Sequence, residues 1–251
     1  VTDHGGAASG RYALATVVGF VTLAMLVATG ATERFDQAAV TAATDVTRAY
    51  PWLRDALIVV EEVTRPIWLY AVATAICIVA AWRLGMRRRA AAAWLTMMVV
   101  WGTAALLKLV VGRERPSVVD AVWEHDGLSF PSGHATNSAA MATAVLILLA
   151  PVLAVGLRRG LVVAAVLFVA VVALHRVFLG VHYPSDVVAG VVFGCGLVFA
   201  LSRLWPAGGD SAAEDSAAED RAYPGAGSSV RVEPTRDDRP GSVGENEGAT
   251  R

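Results

Sequence analysis

Cysteine, lysine and charge are all scarce in this chain. Of its 251 residues two are cysteine, one is lysine against twenty arginines, and 17% are charged; an ordinary soluble domain carries roughly a quarter charged residues. Cys77 and Cys195 both fall inside apolar runs, where a thiol behaves as a small hydrophobe. That placement favours a buried thiol over a disulfide or a redox role, and nothing resembles a zinc spacing. No basic stretch is interleaved with aromatics, which sets nucleic acid aside as a partner. The helical runs show no internal repeat, which weakens an inverted-repeat transporter.

What the chain has in excess is apolar sequence, 55% of it, gathered in blocks. Runs near ~20 apolar residues are long enough to cross a bilayer as helices, and helices satisfy their own backbone groups in lipid. Six such segments stand out, at about Tyr12–Thr29, Ile67–Trp82, Ala90–Val111, Ala135–Val155, Leu161–Leu174 and Val187–Leu204. The fifth is short unless it extends through Phe178. The first has only Arg11 as a positive charge before it and a long apolar run, so it is expected as a retained helix and not a cleaved signal peptide. The sequence thus predicts an all-α integral membrane bundle of about six transmembrane helices.

Charge gives that bundle a direction. "RLGMRRR" (Arg83–Arg89) separates spans two and three, and Arg158–Arg159 separate spans four and five. Short loops rich in arginine stay cytoplasmic, so both termini are expected inside the cell and the segments 30–66, 112–133 and 175–186 outside. In the first of these, "AAVTAATDVTRAYPWLRDALIVVEEV" predicts one or two helices lying at the interface, broken at Pro51 and anchored by Trp52. Beyond Trp205 the chain turns acidic and rich in Gly, Ser and Pro, with "SAAED" repeated. It cannot bury enough apolar surface to offset ordering. The expected organisation is a short cytoplasmic N-terminus over 1–10, a membrane domain over 11–205 and a disordered tail over 206–251.

Against this apolar background "LHRVFLGVHYPSD" (Leu174–Asp186) is anomalous. It gathers two histidines, an arginine and an aspartate between two spans, although each is costly to desolvate. Lys108, the lone lysine, sits near the outer end of span three. Arg115 follows seven residues on, a spacing that two helical turns cover, so both can share a face. "FPSGHATNS" opens span four with a glycine turn, Ser132, Gly133 and His134, where a helix N-terminus offers free N–H groups to an anion. Pro184 suits the first turn of span six, and Asp186 suits a helix start. Each of these has a bland explanation alone: a snorkelling lysine, an interfacial histidine, a first-turn acid. All of them, however, fall on one predicted side. Three cations and a glycine turn make a site for a dianion. Two histidines supply a nucleophile and an acid, and a carboxylate beside His182 would fix its tautomer. This is the equipment of phosphoryl transfer by positioning and charge.

"KLVVGRERP" (Lys108–Pro116), "PSGH" (Pro131–His134) and "HRVFLGVHYPSD" (His175–Asp186) resemble, in order and in spacing, the three signature motifs of the type 2 phosphatidic acid phosphatases, the lipid phosphate phosphatase superfamily. The resemblance implies that His182 attacks phosphorus and forms a phosphohistidine, that Asp186 orients it, and that His134 protonates the leaving oxygen and later helps to activate water. It implies that Lys108, Arg115 and Arg176 hold the phosphate oxygens, with hydrogen bonds from Ser132 and the Gly133 N–H. It implies neither a metal nor any other cofactor, and the chain shows no carboxylate cluster suited to Mg²⁺. One position departs from the pattern: His175 stands where the family has a serine that donates to phosphate. An imidazole can donate too, so His175 is expected to contact phosphate. Arg113 and Glu114 receive no role. Trp123 and His125 belong to the loop over the site and are candidates for substrate contact.

The expected activity is a membrane phosphatase acting outside the cytoplasm on a lipid phosphate or isoprenoid pyrophosphate, with the bilayer as its setting and no protein partner implied. The alternatives are a lipid phosphotransferase on the same site, or a non-catalytic lipid-binding or transport protein.

Overall fold

The computed structural model describes residues 4–118 and 126–206. Within them the chain is all-helical: α1 (His4–Ala28), α2 (Glu33–Ala49), α3 (Pro51–Val63), α4 (Pro66–Arg83), α5 (Arg87–Val111), α6 (Gly133–Leu149), α7 (Val155–Phe178) and α8 (Pro184–Leu201), closed by a 3₁₀ turn over Ser202–Leu204. Trp123, His125 and the expected tail from residue 207 lie outside the described residues.

Each of the six expected apolar segments forms a helix. The helices α4, α5, α7 and α8 with its 3₁₀ extension are long and apolar enough to cross a membrane. The fifth segment does extend through Phe178. The fourth, α6, is 17 residues long and ends at Leu149, short of the expected Val155, which instead begins α7. The first ends at Ala28 and bends by 88° into α2. Large apolar side chains such as Trp82, Leu109 and Val110 stand outward on α4 and α5, as a lipid-facing surface requires. Helices α2 and α3 are the two amphipathic helices expected between spans one and two. Pro51 parts them, since its fixed φ suits a helix start and not an interior.

The centre of the bundle is α6, which packs on α4, α5, α7 and α8. Its sequence explains this place: Ala135, Ala139, Ala140 and Ala144 are all buried and allow close approach. The α6–α8 contact is closest. A Cβ added at Gly190 would lie 2.8 Å from the Ser132 carbonyl oxygen, and one at Gly194 would lie 2.4 Å from that of Thr136. Two small residues four apart thus bring α8 onto the backbone of α6. In the middle of the bundle Tyr70 Oη lies 2.9 Å from both Asn137 Oδ1 and the Met97 carbonyl, two acceptors for its single hydrogen.

Candidate active site

Four helix ends meet at one end of the bundle: the C-termini of α5 and α7 and the N-termini of α6 and α8. Gly112 ends α5 in the left-handed region (φ 65°), its N–H bonding the Lys108 carbonyl at 2.9 Å, the usual helix stop. The chain then leaves the helix, so Lys108 and Arg115 do not share a helical face as their spacing predicted. Arg115 arrives instead on the segment that follows. There its Nη1 donates to the Val181 carbonyl (2.7 Å) and lies 3.1 Å from His182 Nε2. Lys108 Nζ donates to the Leu128 carbonyl at 2.7 Å. Gly180, with φ 76°, reverses the chain after α7, and its Cα lies so close to Thr44 that a Cβ would meet that side chain at 2.8 Å. This reversal carries His182 back over the site.

His182 is 1% exposed. Its Nδ1 donates to Ser129 Oγ at 3.2 Å, and Ser129 Oγ in turn donates to Asp186 Oδ2. Asp186 Oδ2 also lies 3.5 Å from Nδ1 and accepts from the Tyr183 N–H at 2.9 Å. With Nδ1 carrying the hydrogen, Nε2 keeps a lone pair and faces Arg115. Burial, then the positive groups Arg176, Arg115 and Lys108, then His134, hold the His182 pKa well below its usual 6.5. This shift favours the neutral ring.

Two buried carboxylates extend the site beyond the motifs. Asp36, on α2, and Asp186 are both fully buried and are clamped by Arg113, whose two terminal nitrogens lie 2.7 Å from Asp36 Oδ2 and 2.6 Å from Asp186 Oδ1. Asp36 also accepts from the Ser185 N–H and hydroxyl, at 3.1 and 2.5 Å. Burial opposes the charge on Arg113, but Asp186 and Asp36 outweigh it and raise its pKa. Arg113, given no role from the sequence, thus joins α2 to the start of α8. The second carboxylate is Glu61, on α3. It pairs with Arg176, and its oxygens lie 3.2 Å from His175 Nε2 and 3.6 Å from His134 Nε2.

His175 Nδ1 faces the Val172 carbonyl at 2.6 Å and its Nε2 faces Glu61 at 3.2 Å, so both ring nitrogens meet protein groups. Arg176 is fully buried; its Nε and Nη2, with Ser132 Oγ, have no hydrogen-bond partner among the described residues. Buried donors without partners are costly, and here they belong to residues singled out for holding phosphate. Gly133 opens α6, with the Ser132 N–H fixed to the Asp186 carbonyl at 3.0 Å, so the glycine turn and the start of α8 form one unit.

Asp36, Glu61 and Ser129 had no motif to announce them. For the two acids a signal exists. Asp36 shares the inward face of α2 with Val40, Ala43, Thr44 and Thr47, and Glu61 lies one turn from Leu57 on α3. An acid on the apolar stripe of an amphipathic helix marks a buried carboxylate with a partner elsewhere.

Comparison with known proteins agrees with this geometry. Residues 89–209 match the PAP2 superfamily. The chain is 31% identical over 189 residues to phosphatidylglycerophosphatase B of Bacillus subtilis (strain 168), covering 72% of this chain and 88% of that protein. It therefore belongs to the PAP2 superfamily and is a multi-pass membrane protein. It is also 41% identical over 99 residues to the decaprenylphosphoryl-5-phosphoribose phosphatase of Mycobacterium tuberculosis (strain CDC 1551 / Oshkosh), over 38% of this chain and 50% of that one, so the match spans half the length of that relative. Among solved structures, the transmembrane PAP2-type phosphatidylglycerolphosphate phosphatase from Bacillus subtilis aligns with a TM-score of 0.65 at 26% identity, covering 76% of this chain and 94% of that one.

Proposed function

We propose that this protein is a membrane phosphatase that hydrolyses a lipid phosphate or isoprenoid phosphate through a phosphohistidine on His182, without a metal, at the extracytoplasmic face. The observation that carries this reading is the setting of His182: its Nδ1 lies 3.2 Å from Ser129 Oγ, which donates to Asp186, and its Nε2 lies 3.1 Å from Arg115 Nη1. Nε2 attacks phosphorus as the bond to the leaving oxygen breaks, and His134 gives its proton to that oxygen. Lys108, Arg115 and the free edge of Arg176 hold the phosphoryl oxygens, and Ser132 Oγ and the Gly133 N–H add hydrogen bonds. Water then attacks the phosphohistidine. His134 accepts its proton, the P–N bond breaks, and phosphate leaves with His182 restored. His175 acts on the cradle through Glu61 and not by direct contact.

The relatives support a lipid substrate. One is named for phosphatidylglycerophosphate, one for decaprenylphosphoryl-5-phosphoribose, and the relative from Bacteroides thetaiotaomicron for the 4'-phosphate of lipid A. Sidedness rests on arginine: Arg87–Arg89 open α5 just after the α4–α5 connection, Arg158–Arg159 lie in the first turns of α7 just after the α6–α7 connection, and the site lies at the other ends of these helices. Phosphate release in detergent with EDTA, across a panel of lipid phosphates, tests the reading. Release by wild type and not by His182→Ala is the expected result; release that needs added Mg²⁺, or that survives in the variant, would overturn it.

A further inference from the structure

Glu61 is a buried charged group at the cradle that takes no part in the bond changes above. It is 3% exposed and comes from α3, outside all three motifs. Its two oxygens are differently placed. Oε2 meets Arg176 Nη1 and, at 3.2 Å, His175 Nε2. The Val172 carbonyl only accepts, so His175 Nδ1 carries a hydrogen there, and the Nε2–Oε2 contact is attractive only with a proton between the two atoms. Oε2 is thereby saturated with donors. Oε1 is turned to His134, 3.6 Å from Nε2. Glu61 does not fill the cradle, because Arg176 Nε and Nη2 and Ser132 Oγ remain without partners. It takes one edge of Arg176 and leaves the other.

We propose that Glu61 selects the leaving group: Oε1 presents an acceptor beside the oxygen that His134 protonates, which suits a phosphomonoester of a polyol, glycerol or sugar, with a free hydroxyl next to the ester, and disfavours a pyrophosphate. This rests on His134 being the acid, as read above. The physical reason is complementarity of donors and acceptors. A neighbouring hydroxyl on the departing alcohol donates to Oε1. A departing phosphate places two further acceptor oxygens and negative charge beside the oxygen that His134 protonates, and such a juxtaposition is rejected more strongly than a missing methylene is. The family's serine in place of His175 would remove the shared proton, so His175 and Glu61 belong to one device.

Three detergent-solubilised probes test this on the full chain: phosphatidylglycerol phosphate (a free hydroxyl beside the ester), phosphatidic acid (none) and farnesyl pyrophosphate (a leaving phosphate). The expected order of kcat/KM in wild type is the order given. Glu61→Gln adds a donor and removes the charge, and should lower the ratio of the first probe to the third by about tenfold. A variant that slows all three equally shows Glu61 to be only structural and overturns the proposal, as does a wild type that prefers the pyrophosphate. Should Glu61→Gln not fold, wild type still decides: inorganic pyrophosphate must compete more weakly than inorganic phosphate, and the reverse sinks the idea. Hydrolysis of none of the three would instead refute the phosphatase reading itself.

Discussion

Replacing Arg113 by alanine tests the ion cluster that joins α2 to α8. Arg113 is 14% exposed on its side chain and binds two carboxylates that are fully buried. Removing one partner of a buried pair typically costs about 3–5 kcal/mol, because the remaining charge is left without compensation. Here each carboxylate keeps other donors: Ser185 N–H and hydroxyl on Asp36, Tyr183 N–H and the Ser129 hydroxyl on Asp186. The lower end, about 3 kcal/mol, is therefore expected, with about 1 kcal/mol more from the stacking of the guanidinium on Tyr183, whose ring centre is 4.2 Å away. At roughly 2–4 °C per kcal/mol for a chain of this size, the midpoint of thermal unfolding in detergent should fall by about 8–16 °C. Activity should fall as well, through Asp186 and His182. Arg113→Lys keeps the charge but cannot fork between two carboxylates, so it should recover only part of either loss. Adding Asp36→Asn to Arg113→Ala removes one stranded charge and should restore part of the midpoint. An Arg113→Ala protein within 2 °C or so of wild type, with unchanged kcat, would refute the clamp, since about 1 kcal/mol or less would then be at stake.

Other outcomes follow from the same geometry. Because His182 is held neutral by burial and the surrounding cations, and the neutral ring is the nucleophile, the acid limb of kcat/KM should lie below pH 6.5; a half-maximal point above that value would contradict it. Ser129→Ala breaks the bridge from His182 to Asp186, and kcat should fall by about tenfold or more with KM little changed, whereas a change confined to KM would deny the bridge. Gly194→Ala places a methyl 2.4 Å from the Thr136 carbonyl oxygen and should cost about 1–3 kcal/mol by overpacking, read as a lower unfolding midpoint; an unshifted midpoint would mean that α6 and α8 separate freely.

How far the sequence foretells this site depends on the range of each contact. The motif residues sit at helix ends, and local signals place those ends: Gly112, the Pro131–Gly133 turn, and Pro184 with Asp186. Local signals also mislead at Arg115, where spacing alone suggests a continued helix and a left-handed glycine ends it first. Asp36 and Glu61 belong to the other kind. Their partners lie far along the chain, Ser185 and Arg113 for one, Arg176 and His175 for the other. Nothing within a turn or two of either acid specifies that pairing. His175 illustrates the same limit, since its departure from the family's serine is visible in sequence while its contact with Glu61, 114 residues away, is not.

The separation between Asp36 and Ser185, 149 residues, also has a meaning in time. At synthesis rates of about 5–20 residues per second, Asp36 leaves the ribosome roughly 7–30 s before Ser185 does. Glu61 waits in the same way for Arg176, 115 residues later. Asp36 stays an uncompensated charge until Arg113 emerges, 77 residues after it, and Glu61 until Arg176 does, and lipid excludes such charges while water tolerates them. A nascent α2–α3 hairpin must therefore rest at the aqueous surface until α7 and α8 arrive. The contacts of α2 and α3 with the site are thus complete only once α7 and α8 have been made.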